Sequence, residues 1–143
     1  MKRFGFITVI ACLLSLRTAA AANTSVEIMQ FRQEGQGSAS YLLKRSHADK
    51  LPRWNEGSGD PPLSQRRAID IAIAQLKRRN LKFEGLELHS VSLTRIKELP
   101  VDGHWFYGVT FSPIAGGVTK PYWKSMVLVL MDGTVINPIE AAK

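Results

Sequence analysis

The spacing of the apolar residues predicts one helix in the middle of this chain. Between residues 65 and 79 they recur every three or four positions, which is the repeat of a helix with one buried face. Ser64 stands at the start, where a serine hydroxyl can accept a hydrogen bond from an amide of the first helical turn. We therefore expect an amphipathic helix whose buried face consists of Ala68, Ile69, Ala72, Ile73 and Leu76.

After Gly85 apolar residues alternate with polar ones, as they do in strands covered on one face. Strands are predicted at residues 86–96 and 104–112, and a hairpin can join them. Both strands then present their apolar side chains to the same side, and this agreement between two independent patterns supports the hairpin. The predicted register places Arg95 opposite Trp105, Leu93 opposite Tyr107 and Val91 opposite Val109.

A third strand is predicted at residues 122–131, where Met126–Leu130 is an unbroken apolar run. Such a run is typical of a strand covered on both faces, so we expect it to lie centrally in the sheet. Asp132 and Gly133 form a strong hairpin signal and predict a two-residue type I′ turn into a short fourth strand at residues 134–136. The predicted fold class is α+β, with one amphipathic helix packed on an antiparallel sheet of three to four strands.

Residues 23–62 have a less regular pattern. Two short apolar patches, at residues 26–31 and 41–43, could each add an edge strand. Residues 55–62 are all polar or turn-forming, which indicates a surface loop or linker. The predicted organisation is a leader at residues 1–22, an N-terminal segment with a Gly/Pro-rich linker at residues 23–62, and an α+β domain at residues 63–143.

The start of the chain has the pattern of a secretory signal peptide. Lys2 and Arg3 supply the charged beginning, and residues 4–16 are almost wholly apolar. Residues 19–22 then offer the small side chains that a signal peptidase requires. We predict cleavage near Ala22 and a periplasmic or extracellular location.

Two alternatives to a cleaved signal remain open. One is a retained membrane anchor, although the apolar run is shorter than the about 20 residues that a membrane span needs. The other is a lipoprotein acylated on Cys12, because residues 9–12 resemble a lipoprotein box.

Composition limits the classes of function. Removal of the leader would leave 121 of the 143 residues, enough for one domain with a hydrophobic core. The only cysteine is Cys12, so the remaining chain would have neither a disulfide nor a thiol nucleophile. The loss of Lys2, Arg3 and Arg17 lowers the formal charge from +7 to +4, which is too small to favour nucleic acid as a partner. We also expect no integral membrane span after cleavage.

Three motifs stand in a fixed order along residues 63–138. They are Ser64 at the helix start, Trp105-Phe106-Tyr107 in the second strand and Met131-Asp132-Gly133-Thr134-Val135-Ile136 after the aliphatic strand. This order resembles that of PepSY-like domains, which are small exported bacterial domains with a cystatin-like arrangement of a helix on a sheet. The resemblance implies a non-enzymatic protein that binds or restrains extracellular peptidases or acts as a sensor at the cell envelope, and it supplies no catalytic residues.

No pattern in the sequence indicates an enzyme or a metal site. The predicted strand pairing separates His89 from His104 by about 23 Å, too far for both to bind one metal ion. His47 lies in the irregular N-terminal segment with Asp49 two residues on, and we interpret it as a loop residue. Phosphate-binding, Cys-x-x-Cys and His-Glu-x-x-His motifs are absent. We predict no catalytic residue, no metal site and no cofactor.

Aromatic residues are the first candidates for binding. Phe106 falls on the otherwise polar face of its strand, beside Gly108, so another segment must cover this face. The N-terminal segment, with Tyr41, Leu42 and Trp54, is the favoured cover. A second copy of the chain and a partner protein are the alternatives.

The loop at residues 112–121 is the second candidate for binding. Gly116 and Gly117 allow it to change shape, while Tyr122 and Trp123 at its exit offer a large contact area at little entropic cost. The alternative is an ordinary hairpin loop whose aromatic side chains pack in the core. The predicted binding residues are Phe106, Gly116, Gly117, Tyr122 and Trp123.

Three hypotheses about function follow. The first is an exported, non-enzymatic module that binds a protein or a peptide at the cell envelope, with an envelope or secreted protein or a second copy as its partner, and with regulation of a peptidase as one role. The second is a small-ligand-binding protein or hydrolase that uses the cleft between helix and sheet, with Tyr107, Arg95 and His104 as its polar groups. The third is a purely structural component of the envelope.

Overall fold

One main helix and two antiparallel sheets make up the fold. The computed structural model describes residues 24–33, 37–79, 84–116, 118–119 and 125–140. The predicted α+β class, with one amphipathic helix on an antiparallel sheet, is confirmed. The leader, with Cys12 and the predicted cleavage near Ala22, lies outside the described residues. In chain order the elements are β1 (Ser25–Gln33), β2 (Gly37–Lys44), α1 (Arg45–Ala48), α2 (Gln65–Arg78), β3 (Gly85–Arg95), β4 (Trp105–Ala115), β5 (Val118–Thr119), β6 (Met126–Leu130), β7 (Val135–Ile136) and β8 (Pro138–Glu140).

The larger sheet contains the strands predicted after the helix. Its strand order is β3-β4-β6-β7, and the short β5 pairs with the end of β4. β6 lies between β4 and β7 with all five of its residues buried, which confirms a central strand covered on both faces. The β3–β4 hairpin has the predicted register, in which Val91 pairs with Val109, Leu93 with Tyr107 and Arg95 with Trp105.

Helix α2 covers one face of this sheet and begins where the sequence predicts. The Ser64 hydroxyl accepts a hydrogen bond from the Arg67 amide at 3.3 Å, so it caps the first turn. The helix packs over β4, β6 and β7. We call the apolar layer between them the helix-side core; its buried members are Ala68, Ala72, Leu76, Tyr107, Val109, Phe111, Val127, Val129 and Met131.

The N-terminal residues form a second sheet rather than edge strands on the first. β1 and β2 make an antiparallel hairpin, and β8 from the end of the chain joins β2 through the pairing of Tyr41 with Pro138. This sheet covers the other face of the larger one, as favoured from the sequence, with Tyr41 and Leu43 turned inward and Leu42 37% exposed. The resulting inter-sheet core contains Val26, Ile28, Tyr41, Leu43, Ala48, Leu51, Ile96, Phe106, Met126, Leu128 and Leu130.

The turn between β6 and β7 differs from the prediction. A two-residue type I′ turn is wrong here, because the Leu130 amide bonds to the Thr134 carbonyl and closes a loop of three residues. The Gly133 amide donates to the Leu130 carbonyl at 2.9 Å, and Gly133 takes the positive φ of +85°. The hydrogen bonds are those of a three-residue hairpin loop with glycine in the left-handed third position, and the Thr134 amide donates to the Asp132 carboxylate within it.

This turn is also tied to the N-terminal region. His47 on α1 contacts Asp132 at 2.8 Å between Nε2 and Oδ2, whereas the sequence suggested only that His47 lies near Asp49. Burial by itself would raise the pKa of Asp132, but hydrogen bonds from Thr134 and the contact with His47 outweigh it and lower that pKa. Asp132 is therefore a carboxylate at neutral pH and links the two parts of the chain.

Two buried tyrosines offer a test of the packing. The Tyr41 hydroxyl is buried in the inter-sheet core without a hydrogen-bond partner among the described residues, and this burial raises its pKa despite the nearby charge of Arg79. The Tyr107 hydroxyl in the helix-side core donates to the Leu63 carbonyl at 3.0 Å. An unpaired buried hydroxyl costs stability, whereas a paired one contributes to it.

We therefore expect opposite effects when each hydroxyl is removed. Tyr41→Phe should raise the free energy of unfolding by about 1 kcal/mol, and Tyr107→Phe, the matched control, should lower it by about 1 kcal/mol. Urea unfolding followed by circular dichroism measures both. A loss of stability in Tyr41→Phe as large as that in Tyr107→Phe would contradict the packing described for Tyr41.

Candidate functional site

Strand β3 is the part of the larger sheet that the rest of the described chain covers least, although Leu86 and Val91 pack against the helix-side core. It is the outermost strand, and α2 lies over the other three main strands. The inter-sheet core draws on β4 and β6 but on no residue of β3. Nearly every residue from Glu87 to Arg95 is exposed, and Val91 is half-buried. Both faces and the outer edge of β3 are thus available for contact.

An apolar stripe runs along β3 on the side of the helix. Leu88 pairs with Phe111 and Leu93 with Tyr107, and these two partners are in the helix-side core. Leu88 and Leu93 themselves are 45% and 36% exposed, because no helix lies above them. A bulge between Leu88 and Ser90 keeps Leu88 on the same side as Val91 although they are three residues apart. We use the name β3 edge surface for Leu88, Val91 and Leu93 together with the open main-chain edge of β3.

The chemistry of this edge changes along the strand. Glu84 and Glu87 carry negative charge at its beginning, and Arg95 and Lys97 carry positive charge at its end. Residues 90–94 between them contain neither a charge nor a proline. Proteins commonly block exposed edges with lysine or proline, and this central part has neither. It can therefore accept the main chain of another strand.

Two tryptophans close the end of the sheet where β3 finishes. Trp54 and Trp105 meet edge to face, with ring centroids 5.3 Å apart and an angle of 71° between the rings. The Trp105 indole donates to the Trp54 carbonyl at 2.9 Å, and the Trp54 amide donates to the Gly103 carbonyl at 2.8 Å. Gly103 has a φ of +91°, a left-handed conformation that favours glycine. Trp54 thus fixes the linker to the larger sheet.

A cleft of about 200 Å³ lies beside these tryptophans, and Arg95 is part of its lining. Arg95 pairs with Asp102 at 2.5 Å, but both side chains are largely exposed, at 43% and 82%. Such surface pairs contribute little to stability and exchange readily with other charges. Arg95 is therefore accessible to an incoming acidic group.

His104 lies in a separate pocket of about 140 Å³ on the side of the second sheet. The residue is 3% exposed, and its Nδ1 atom has no hydrogen-bond partner among the described residues. Burial lowers the pKa of His104, the positive charge of Arg53 lowers it further, and Asp49 opposes both. His104 is thus a neutral imidazole at pH 7, next to Arg53 and Asp49 in the wall of the pocket.

The predicted binding residues lie in different parts of the structure or outside the described residues. Phe106 is 2% exposed and packs in the inter-sheet core. Gly116 follows β4 with a φ of +60°, and its amide donates to the Glu84 carboxylate at 3.3 Å. These two positions lie roughly 33 Å apart along one strand, so the structure does not bring them together. Gly117, Tyr122 and Trp123 lie outside the described residues.

The three polar groups suggested for a helix–sheet cleft do not converge either. Tyr107 is in the helix-side core with its hydroxyl bound to Leu63. Arg95 lines the tryptophan cleft, and His104 lines the other pocket. Within the described residues no group of three or more His, Cys, Asp or Glu side chains could hold a metal ion.

Comparison with known proteins does not place the chain in a family. No protein-family model, no curated protein and no solved structure gives a significant match. In the part of the chain that the structure describes, no helix has the length and apolar character of a membrane span.

Sequence reasoning missed the β3 edge surface. The pattern places Val91 and Leu93 on the side shared with the apolar residues of the next strand, but it does not predict that Leu88 joins them or that this side is exposed. One signal could have revealed this exposure: a helix is about 10–12 Å wide and strands are about 4.8 Å apart, so one helix does not cover a sheet of four strands. One outer strand had to remain open.

The buried, neutral His104 predicts a dependence of stability on pH. Its pKa is lowered in the folded state, so below the ordinary histidine pKa of about 6.5 the unfolded chain binds a proton that the folded chain does not. The contribution to stability is complete above this value and is lost as the pH falls below it. In His104→Gln the free energy of unfolding should change less between about pH 7 and pH 5 than in the unaltered protein.

The exposed His89 provides the matched control for this measurement. Urea unfolding of His89→Gln over the same pH range should give the same slope as the unaltered protein. Equal slopes for His104→Gln and the unaltered protein would show that the folded state accommodates a protonated His104.

Proposed function

We propose that this protein is an exported, non-enzymatic binding module that takes up an extended segment of a protein chain on the β3 edge surface. The observation that carries the proposal is the exposure of β3 on both faces, with an outer edge that no described strand pairs with. An extended segment that lies beside β3 would satisfy its free main-chain donors and acceptors. The same segment would cover the apolar stripe.

The contacts in such a complex divide into two kinds. Main-chain hydrogen bonds along residues 90–94 supply affinity that does not depend on the partner's sequence. Leu88 and Leu93 supply selectivity, because every second side chain of an added strand lies on the helix side and meets them. The segment that fits is therefore extended and has apolar side chains at alternate positions.

Two features of the sequence support the wider setting of this proposal. The signal-like pattern of the first 22 residues supports export, with the action then taking place in the periplasm or outside the cell. The resemblance of residues 63–138 to PepSY-like domains supports a binding role, with a peptidase at the cell envelope as one class of partner. If the partner is such a peptidase, the proposed role of the protein is to regulate it.

A second candidate function is the binding of a small polar ligand beside His104. The pocket of about 140 Å³, with the charged side chains of Arg53 and Asp49 in its wall, supports this candidate. A ligand held there should raise the melting temperature of the unaltered protein and not that of Arg53→Ala.

Photo-crosslinking in living cells tests the proposed contact surface. A photoreactive amino acid replaces Leu93 in the protein expressed in an exporting bacterium, and the envelope fraction is irradiated and analysed by mass spectrometry. We expect a covalent product with a protein at position 93, because this side chain borders the open edge. The matched control is the same replacement at Ile139, which is 56% exposed on β8 of the other sheet and should give no such product. Absence of any product at position 93 would overturn the proposal.

A further inference from the structure

We propose that the segment bound on the β3 edge surface is β3 of a second copy of this chain, so that two copies form one continuous antiparallel sheet around a two-fold axis near Val91. This inference rests on the proposed function and names the partner of that same surface. Such an interface is self-complementary, because a two-fold axis presents the same patch to itself.

The apolar stripe fits this arrangement. With Val91 on the axis, Ser92 of each copy lies opposite Ser90 of the other. Because His89 is the extra residue of the bulge, the next position brings Leu93 opposite Leu88. Each side chain that β3 leaves exposed on the helix side thus meets an apolar side chain of the other copy. Cross-strand pairs of this kind are the unit of sheet stabilisation.

The charges along β3 are also complementary in this orientation and in no parallel one. Acidic Glu84 and Glu87 stand at its beginning, and basic Arg95 and Lys97 at its end. An antiparallel pairing lays the acidic end of each strand beside the basic end of the other. A parallel pairing would lay like charges side by side, which is unfavourable. The surface pair of Arg95 with Asp102 is exposed enough to rearrange.

Closure is the third argument for a second copy. The pairing joins the open β3 edge of one copy to that of the other, so neither edge remains exposed. Because each copy uses the same strand on both sides of the two-fold axis, this interface closes with two copies.

The first experiment measures self-association of the protein purified as it accumulates in an exporting bacterium. Sedimentation equilibrium over a range of concentrations should show a monomer–dimer equilibrium. Leu93→Lys places a charge opposite Leu88 of the other copy and should weaken the dimer at least about tenfold. Ile139→Lys, an equally drastic change on the exposed face of β8, should leave it unchanged. Thermal unfolding of both variants checks that they remain folded. If Leu93→Lys does not fold, Leu88→Lys replaces it in the same measurement.

A charge exchange tests the antiparallel orientation. The register lays Glu84 opposite Lys97 of the other copy, on the same face of the sheet. Glu84→Lys and Lys97→Glu each place like charges opposite each other, so each variant alone should dimerise about fivefold more weakly. Mixed together, the two variants should form a heterodimer about as tight as the unaltered dimer, because opposite charges again lie side by side. Raising the salt concentration should remove the difference.

Disulfide trapping tests the register in a Cys12→Ser background. Mixing Leu88→Cys with Leu93→Cys should give a disulfide-linked heterodimer under mild oxidation, since opposite side chains lie close enough for the bond. Ile139→Cys should give none.

The outcomes separate this inference from the proposed function. A protein that stays monomeric, or a dimer that neither Leu93→Lys nor Leu88→Lys weakens, overturns the inference. If position 93 then still crosslinks to a different protein, the proposed function stands without it. If position 93 gives no crosslink at all, both are overturned.

Discussion

The burial of β6 on both faces is the constraint on which this fold depends. All five of its residues are apolar and buried, and leaving either face in water would cost about 2 kcal/mol for each exposed side chain. Helix α2 covers one face through Ala68, Ala72 and Leu76. The β1–β2 hairpin covers the other through residues such as Tyr41 and Leu43. The helix and the N-terminal hairpin thus have one central strand in common.

Helix α2 and the second sheet are each narrower than the larger sheet that they cover, and β3 is exposed for this reason. A helix about 10–12 Å wide lies over β4, β6 and β7, and β3 extends beyond it. On the opposite face the second sheet reaches Phe106 on β4 and Leu128 on β6. β3 is therefore stabilised by its pairing with β4 and by the packing of Leu86 and Val91 against the helix-side core, and the rest of its surface is exposed. The candidate site follows from the geometry of packing rather than from a catalytic motif.

The linker between the two parts of the chain is held at a few defined points. Trp54 packs on Trp105 and bonds to the backbone at Gly103 and, through its indole, at Gly59. His47 holds α1 to the turn after β6. These contacts order a segment rich in turn-forming residues, and they enclose His104 in a pocket where its neutral form is favoured. The N-terminal residues therefore shape the surface around the end of β3 as well as the core.

The helix and the main hairpin follow from patterns that are visible in the sequence alone. The limits of α2, its cap at Ser64 and the register of the β3–β4 hairpin all depend on residues close together in the chain, whose spacing expresses their contacts directly. The turn after β6 lies where it was predicted but is one residue longer, with Met131 in the loop beside Asp132 and Gly133. Local patterns are reliable where local contacts decide the structure.

Which surfaces are covered depends on contacts between segments that are distant in the sequence. The pairing of β2 with β8 and the contact of His47 with Asp132 join residues far apart in the chain, and no periodicity records them. Leu88 and Leu93 alternate with polar residues in the same way as the buried apolar residues of β4 do, and their exposure depends on where α2 ends. The alternation of a strand shows which side is apolar, but what lies against that side is set by segments distant in sequence.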